Sequence, residues 1–272
     1  MQTARTKLNN IRWLNSEIST LYKKISAQLK DVKTQTSNYN VFMSDFFSIV
    51  SASWLSSSLF NSNILLAGTR KLCVVISCES GLCGSLNKSL FKNVIKSIDS
   101  NTDVFCIWKR AFNFFVDAWF NVVWYIDNVS KSIDLQILDK YLLNSIDKNL
   151  YADVSVFFRS HNKNNKFNLY SLTQSDLKLL DVALPADDMY SGLWVQVEEF
   201  VLRNMIIQLS QYMVYGAVLQ SQINELSYCK NILILRWDNH NLKKFVLSFN
   251  EKRQALLTQK VLELMSREYS MS

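Results

Sequence analysis

A β-branched residue recurs every seven positions near the start of the chain, at Ile11, Ile18, Ile25 and Val32. Leu14 and Leu21 stand three residues after the first two, and Gln28 takes the equivalent third place. Isoleucine or valine at the first position of a heptad and leucine at the fourth is the pattern of a helix that packs along another helix. On a solitary helix the stripe Ile11, Leu14, Ile18, Leu21, Ile25, Val32 would face water, so this end of the chain needs a partner helix. Breakers are scarce, with 5 glycines and 1 proline in 272 residues. That scarcity favours long uninterrupted helices and disfavours an all-β fold built on tight turns. After the polar stretch Gln35 to Asn40, an apolar helical segment continues, or bends and restarts, through about Leu59.

The far end of the chain has the same helical character. From Asp188 to Ser272 there is no proline, and only Gly192 and Gly216 interrupt the helix formers. Leu226, Leu233 and Trp237, then Phe245, Phe249 and Leu256, repeat at spacings of four and seven. Helix over this whole stretch would reach about 120 Å at 1.5 Å per residue. A small globular domain cannot bury such a length, whereas pairing with the N-terminal helix can cover part of it.

The middle of the chain is different. Leu72 to Ser77, Val104 to Trp108, Val122 to Ile126, Val154 to Phe158 and Phe167 to Leu172 read as strands, the last two flanking a polar loop from His161 to Lys166. Leu86 to Ile98, Arg110 to Trp119 and Ile133 to Ile146 have helical spacing. Alternation of this kind indicates a mostly parallel sheet layered with helices. The expected fold class is α/β: an antiparallel coiled coil of long N- and C-terminal helices with an inserted Rossmann-like α/β domain. The expected divisions are an N-terminal shaft helix over 1–60, an α/β domain over 70–175 and a C-terminal shaft helix over 188–272.

Composition removes several function classes. Hydrophobic residues make up 49% and charged residues 19%, so a packed core can form. The net charge is +7, and residues 1–36 hold Arg5, Lys7, Arg12, Lys23, Lys24, Lys30 and Lys33 against Glu17 and Asp31. These cations are spread along the helix rather than clustered with aromatics on one face. A solvated helix face, or one that meets acidic protein, fits them better than a nucleic-acid interface. Cys73, Cys78, Cys83, Cys106 and Cys229 are odd in number and irregular in spacing, as expected of buried free thiols in a reducing compartment. Cys78 and Cys83 lack zinc spacing and His161 and His240 are isolated, so no metal site is expected. No catalytic triad or carboxylate pair beside a turn is visible. The N-terminus is basic and polar rather than signal-like. Val41 to Leu66 is broken by Asp45, a serine cluster and asparagines, short of the roughly 18 apolar residues of a membrane span. The chain is therefore expected to be soluble or peripheral to a membrane.

One turn invites a nucleotide reading. Gly81-Leu82-Cys83-Gly84-Ser85-Leu86-Asn87 follows a strand and opens a helix. It is not a Walker loop, because asparagine rather than glycine precedes Lys88-Ser89, and its glycine spacing does not suit a dinucleotide. The two glycines are expected to let the chain turn sharply at the sheet edge. No cofactor follows from it.

This turn carries a resemblance. Its residues Gly81, Leu82, Cys83, Gly84, Leu86 and Asn87 match the run S/T-D-R/K-G-L-C-G-G-L/F-N of the gamma subunits of rotary F-type ATPases. The departures are Glu79, Ser80 and Ser85. Arg253-Gln254-Ala255-Leu256-Leu257-Thr258-Gln259-Lys260-Val261-Leu262-Glu263-Leu264 is similar to a second run of that family, with Lys260 in place of a glutamate. Tyr215-Gly216-Ala217, Ser221-Gln222 and Glu225 are similar to a third, with Cys229 in place of a basic residue. Lys24-Ile25-Ser26 is a fainter echo of an N-terminal element. The three better matches stand in family order, and together the resemblance covers nearly the whole chain.

The resemblance implies a non-catalytic central-stalk rotor that couples nucleotide turnover in a ring of alpha- and beta-type subunits to rotation and ion movement. It implies ring contacts at Arg253, Gln254, Thr258, Glu263, Lys24 and Ile25. It further implies one copy per ring, an epsilon/delta-type small subunit and a membrane rotor or its substitute at the α/β foot, and no nucleic acid. The implied location is peripheral, on the cytoplasmic face of the membrane. The asparagine- and lysine-rich, glycine-poor composition suits an AT-rich genome and a divergent version from a wall-less bacterium. Two alternatives stay open: the shaft of a specialised motor for motility or other membrane work, and a structural coiled-coil scaffold.

Overall fold

The computed structural model describes residues 2–52, 68–126, 150–169, 179–180, 199–237 and 240–269. Its elements are α1 (Gln2–Ala52), β1 (Arg70–Ile76), α2 (Gly84–Ser97), β2 (Thr102–Ile107), α3 (Lys109–Asp117), β3 (Asn121–Ile126), β4 (Tyr151–Ser160), β5 (Lys163–Asn168), α4 (Glu199–Trp237) and α5 (His240–Tyr269). The chain divides into two compact units, residues 28–229 and residues 1–27 with 230–272.

The larger unit holds a five-stranded sheet in the order β3-β2-β1-β4-β5. β1 pairs in parallel with β2 and β4, β2 in parallel with β3, and β4 antiparallel with β5. The order reverses between β1 and β4, the switch point at which doubly wound sheets leave a crevice beyond the strand C-termini. The short apolar runs are central strands because they are buried on both faces. Leu72, Val74 and Ile76 of β1 face one core, where Phe105, Ile107, Val154, Val156 and Phe158 meet Tyr39, Met43 and Phe47 of α1 and Met213, Ala217 and Val218 of α4. Cys73 and Val75 face the other core, with Leu90, Phe91 and Val94 of α2 and Ala111 and Phe115 of α3. At the opposite, N-terminal edge of the sheet the buried Asp103 carboxylate accepts from Arg70, from the Tyr151 hydroxyl at 2.9 Å and from Asn121 Nδ2 at 2.6 Å.

Two helices cover the first core. Tyr39 meets Tyr215 edge-on at 6.0 Å between ring centres, and Phe42 meets Tyr212 at 4.9 Å. Sequence numbers therefore rise along α1 as they fall along α4 at this contact. Gly216 permits it: a Cβ there would lie 2.3 Å from the Tyr39 hydroxyl oxygen and 2.5 Å from Cζ.

The buried stripe of α1 differs from the expected one. Ile18, Ile25 and Val32 are half-buried, but Leu21 is 44% exposed and Gln28 faces solvent. The other half of the repeat falls on Tyr22, Leu29 and Thr36, four residues after Ile18, Ile25 and Val32 rather than three, and continues with Met43 four after Tyr39. Alternating steps of four and three keep the same seven-residue period, so spacing alone placed the partner position one residue early. Of the remaining stripe residues, Ile11 and Leu14 have side chains outside the described set.

Two further expectations are corrected. The polar stretch from His161 to Lys166 is not a loop. His161 and Asn162, with φ of 48° and 61°, form a two-residue turn, and β5 begins at Lys163. Positive φ at both positions matches the right-handed twist of the paired strands. β5 ends at Asn168 rather than running to Leu172, and Leu169 follows as a bend. Of the expected C-terminal helix, α4 and α5 are described, and residues 188–198 and 238–239 lie outside the described residues. The helix expected over Ile133 to Ile146, and the apolar segment beyond Ala52, lie outside the described residues.

Candidate functional site

The first and third similar runs of sequence meet in space within the larger unit. β1 ends, Cys78 follows, and its backbone is clamped: Cys78 N–H donates to Asn87 Oδ1 at 2.8 Å while Asn87 Nδ2 donates to the Cys78 carbonyl at 2.9 Å. The first asparagine of α2 therefore holds the strand end by a reciprocal pair, which explains why Asn87 is buried. Ser80 caps a single turn of 3-10 helix at Gly81–Cys83, accepting from Leu82 N–H at 3.3 Å. Arg110 Nε donates to the Glu79 carbonyl at 2.7 Å.

Into this turn projects Glu225 of α4. Its carboxylate accepts from Ser80 N–H at 2.6 Å and from Glu79 N–H at 3.2 Å. Two adjacent amides at a strand-to-helix turn are the donors that a phosphate would use. Here a side chain of the same protein occupies them. The neighbouring Asn224 accepts from the Asn162 N–H at 2.9 Å, which fastens the β4–β5 turn to α4. Ser85 Oγ and the Tyr228 hydroxyl are 2.8 Å apart. The crevice at the switch point is thus closed by one helix.

Burial sets the electrostatics. Burial pushes the Glu225 carboxyl up, against the two amide bonds that favour its charge. Cys83 and Cys229 lie with sulfurs 3.5 Å apart, either able to donate to the other, and Ser80 Oγ lies 3.3 Å from the Cys229 sulfur as an alternative acceptor. Hydrogen bonding to Cys83, then burial, push the Cys229 thiol far above the ordinary range. Hydrogen bonding from Cys229 favours the Cys83 thiolate, but contact with Cys78 and burial outweigh it and leave Cys83 at about 12.

The glycines of the turn do less than their sequence suggested. A Cβ at Gly84 would meet nothing within 4 Å, and one at Gly81 would make an ordinary 3.6 Å contact with Arg110. Neither is required for the chain to turn. Glu225 stands 145 residues from Ser80 and Cys229 stands 146 from Cys83, so no local signal could pair them.

The residues expected at a ring contact are not gathered here. Lys24 and Ile25 lie on α1, the first exposed and the second half-buried. Arg253, Gln254 and Thr258 lie exposed on α5, where the Thr258 hydroxyl donates to the Gln254 carbonyl at 3.0 Å; the side chain of Glu263 is outside the described set. Every described side chain from Glu251 to Leu262 is exposed, including Leu256 (43%), Leu257 (53%), Val261 (54%) and Leu262 (61%). Among the described residues no cluster of ligating side chains could hold a metal ion, and no helix is long and apolar enough to cross a membrane.

A doubly wound sheet whose crevice is closed by a carboxylate from its own long helix defines a helix-clasped α/β protein. The chain belongs to the ATP synthase family, whose model, described as ATP synthase, matches residues 1–267. It is 24% identical to an ATP synthase gamma chain of Francisella tularensis, over 98% of this chain and 88% of that one. It is 20% identical to an ATP synthase gamma chain of Mycoplasma capricolum, over 96% and 95%. Among solved structures it is similar to a chain from the Euglena gracilis mitochondrial ATP synthase rotor. There the TM-score is 0.64 and the identity 15%, over 94% of this chain and 98% of that one.

Replacing Glu225 separates its two contributions. Glu225→Ala leaves two part-buried amides without their acceptor and is expected to cost about 2 kcal/mol. Glu225→Gln retains one acceptor and should cost less. Because its folded pKa is raised, the folded chain holds more protons than the unfolded one between the two values. Stability from this group is complete below the ordinary carboxyl range and declines as pH rises through the folded value. Urea midpoints from pH 4 upward should show that decline in the parent and its loss in Glu225→Gln. An unchanged slope would exclude Glu225 as its source.

Proposed function

We propose that this chain is the central-stalk rotor subunit of an F-type ATPase and carries no catalytic site of its own. In this reading nucleotide turnover occurs in a ring of alpha- and beta-type subunits around it. The observation that carries the proposal is α5. From Glu251 to Leu262 it presents polar and apolar side chains to solvent on every side, four of the latter being leucine or valine. A helix packed on a core shows one apolar stripe, so a helix with apolar groups all round calls for a sleeve of protein. Arg253, Gln254, Thr258 and Glu263 would meet that sleeve, together with Lys24 and Ile25 of α1.

The terminal helices form an antiparallel coiled coil in this reading, with the shaft over 1–60 and 188–272 and the foot over 70–175. Within the smaller unit, Lys230 Nζ sits 5.2 Å above the Tyr22 ring and Leu233 is buried, which supports pairing of α1 with α4 there. The foot would meet an epsilon/delta-type subunit and a membrane rotor, with one copy of the chain per ring, peripheral to the cytoplasmic face of the membrane. An asymmetric shaft meets each catalytic subunit with a different face, and rotation biases their states through those unequal contacts.

Affinity purification of the chain from its host tests the proposal. Alpha- and beta-type subunits in excess over a single copy of the chain are expected, with ATP-driven rotation of a bead fixed to the foot. Recovery with nucleic acid and without ATPase subunits would overturn it.

A further inference from the structure

The reading as a rotor makes no use of the paired thiols beneath the turn. Cys83 lies in the 3-10 turn before α2 and Cys229 in α4, both buried, with sulfurs 3.5 Å apart. Each thiol also has a second acceptor within reach, the Glu225 carbonyl at 4.0 Å for Cys83 and Ser80 Oγ at 3.3 Å for Cys229. We propose that Cys83 and Cys229 are a modification site, a thiol pair that a peroxide converts to a disulfide, tying the turn before α2 to α4.

The step balances. The Cys83 thiolate attacks one peroxide oxygen, the O–O bond breaks, hydroxide leaves and Cys83 becomes a sulfenic acid. Cys229 then attacks that sulfur, the S–O bond breaks, and water leaves. The sum is two thiols and one hydrogen peroxide giving one disulfide and two waters. Cys83 reacts first because its thiol, at about 12, ionises more readily than that of Cys229. The closing movement is short, from 3.5 Å to the roughly 2 Å of a disulfide. Cys78 also lies beside Cys83 and is the rival resolving thiol, but its backbone is clamped on both sides by Asn87. Cys73 and Cys106 face the core on the other side of the sheet. Of the charged groups nearby, Glu225 acts on both sulfurs, and its carboxylate opposes a thiolate on either. Oxidation is therefore slow at neutral pH and speeds up about tenfold per pH unit, with the thiolate fraction.

The test uses the full-length chain treated with hydrogen peroxide, then unfolded, titrated for free thiol and digested for peptide mapping. Two of the five thiols are expected to disappear together, with Cys83 linked to Cys229, and a reductant should restore all five. Cys229→Ser should form no crosslink under the same exposure and should instead hold Cys83 as a sulfenic acid that dimedone labels, and its unchanged melting temperature before treatment would show that it folds. A Cys78–Cys83 bond, oxidation to sulfinic acid without a crosslink, or five thiols surviving at raised pH would overturn the proposal.

Discussion

Alanine at position 216 lowers the melting temperature of the chain by roughly 5–10 °C, about 2–3 kcal/mol, as the expected result of placing a methyl group where a phenol already lies. The sign is the informative part. In a solvated helix the same change stabilises by about 1 kcal/mol, because glycine costs backbone entropy. Here the added Cβ would stand 2.3 Å from the Tyr39 oxygen, 2.5 Å from Cζ and 2.8 Å from Cε1. The ring is buried among Met43, Met213 and Ala217 and cannot swing clear without opening the core. Tyr39→Ala removes the obstacle, so adding Gly216→Ala to that variant should be neutral or stabilising. The double-mutant cycle therefore reverses the sign of one substitution, and calorimetry on four proteins reads it. Equal losses from Gly216→Ala in both backgrounds would mean that the two helices do not touch at this point. The Tyr39 hydroxyl is itself buried without a hydrogen-bond partner and burial drives its pKa upward. Tyr39→Phe should thus be tolerated.

The second large effect is in assembly rather than stability. Leu257→Glu with Val261→Glu places two carboxylates one turn apart on the exposed face of α5. Both side chains already lie in water, so the isolated chain should keep its helicity and unfold within about 0.5 kcal/mol of the parent. If a protein sleeve encloses this helix, the same charges must be desolvated on assembly. Recovery of alpha- and beta-type subunits with the chain should then fall at least about tenfold. Alanine at the same two positions should weaken recovery less, since it removes apolar contact without burying charge. Undiminished recovery with both glutamates would place α5 outside any sleeve.

The strands and helices of the sheet domain could be read from the sequence because their signals are local. Leu72 to Ser77 is apolar throughout since both of its faces are buried, and Leu86 to Ile98 alternates because one face of α2 meets solvent. The heptad gave the period of the α1 stripe but not its second position. Tyr22 and Leu29 were hidden because tyrosine and a lone leucine compete poorly with Leu21 as a textual signal. The hairpin at His161 and Asn162 was missed because neither residue is glycine, although asparagine tolerates positive φ. The junction of Glu225 and Cys229 with the turn was legible as two separate runs but not as one place. Nothing in the spacing of residues 146 apart encodes a contact, and only the way α4 crosses the strand ends brings them together. Gly216 was legible as a motif position, while the reason for it, a tyrosine from the other end of the chain, was not.

The long C-terminal helices pass from one environment to another along a single stretch of backbone. Around Met213 to Ser221 nearly every side chain of α4 is buried, whereas from Glu251 to Leu262 every described side chain of α5 is exposed. In hydrogen-exchange terms the first segment opens only with the sheet core, and the second opens by fraying at little cost. A denaturation curve of the lone chain therefore reports on the sheet and its two covering helices, and is nearly blind to α5. Protection of the α5 amides becomes a reading of what surrounds that helix, so deuterium uptake at Glu251 to Leu262 measures enclosure by a partner while the fold of the chain itself stays constant.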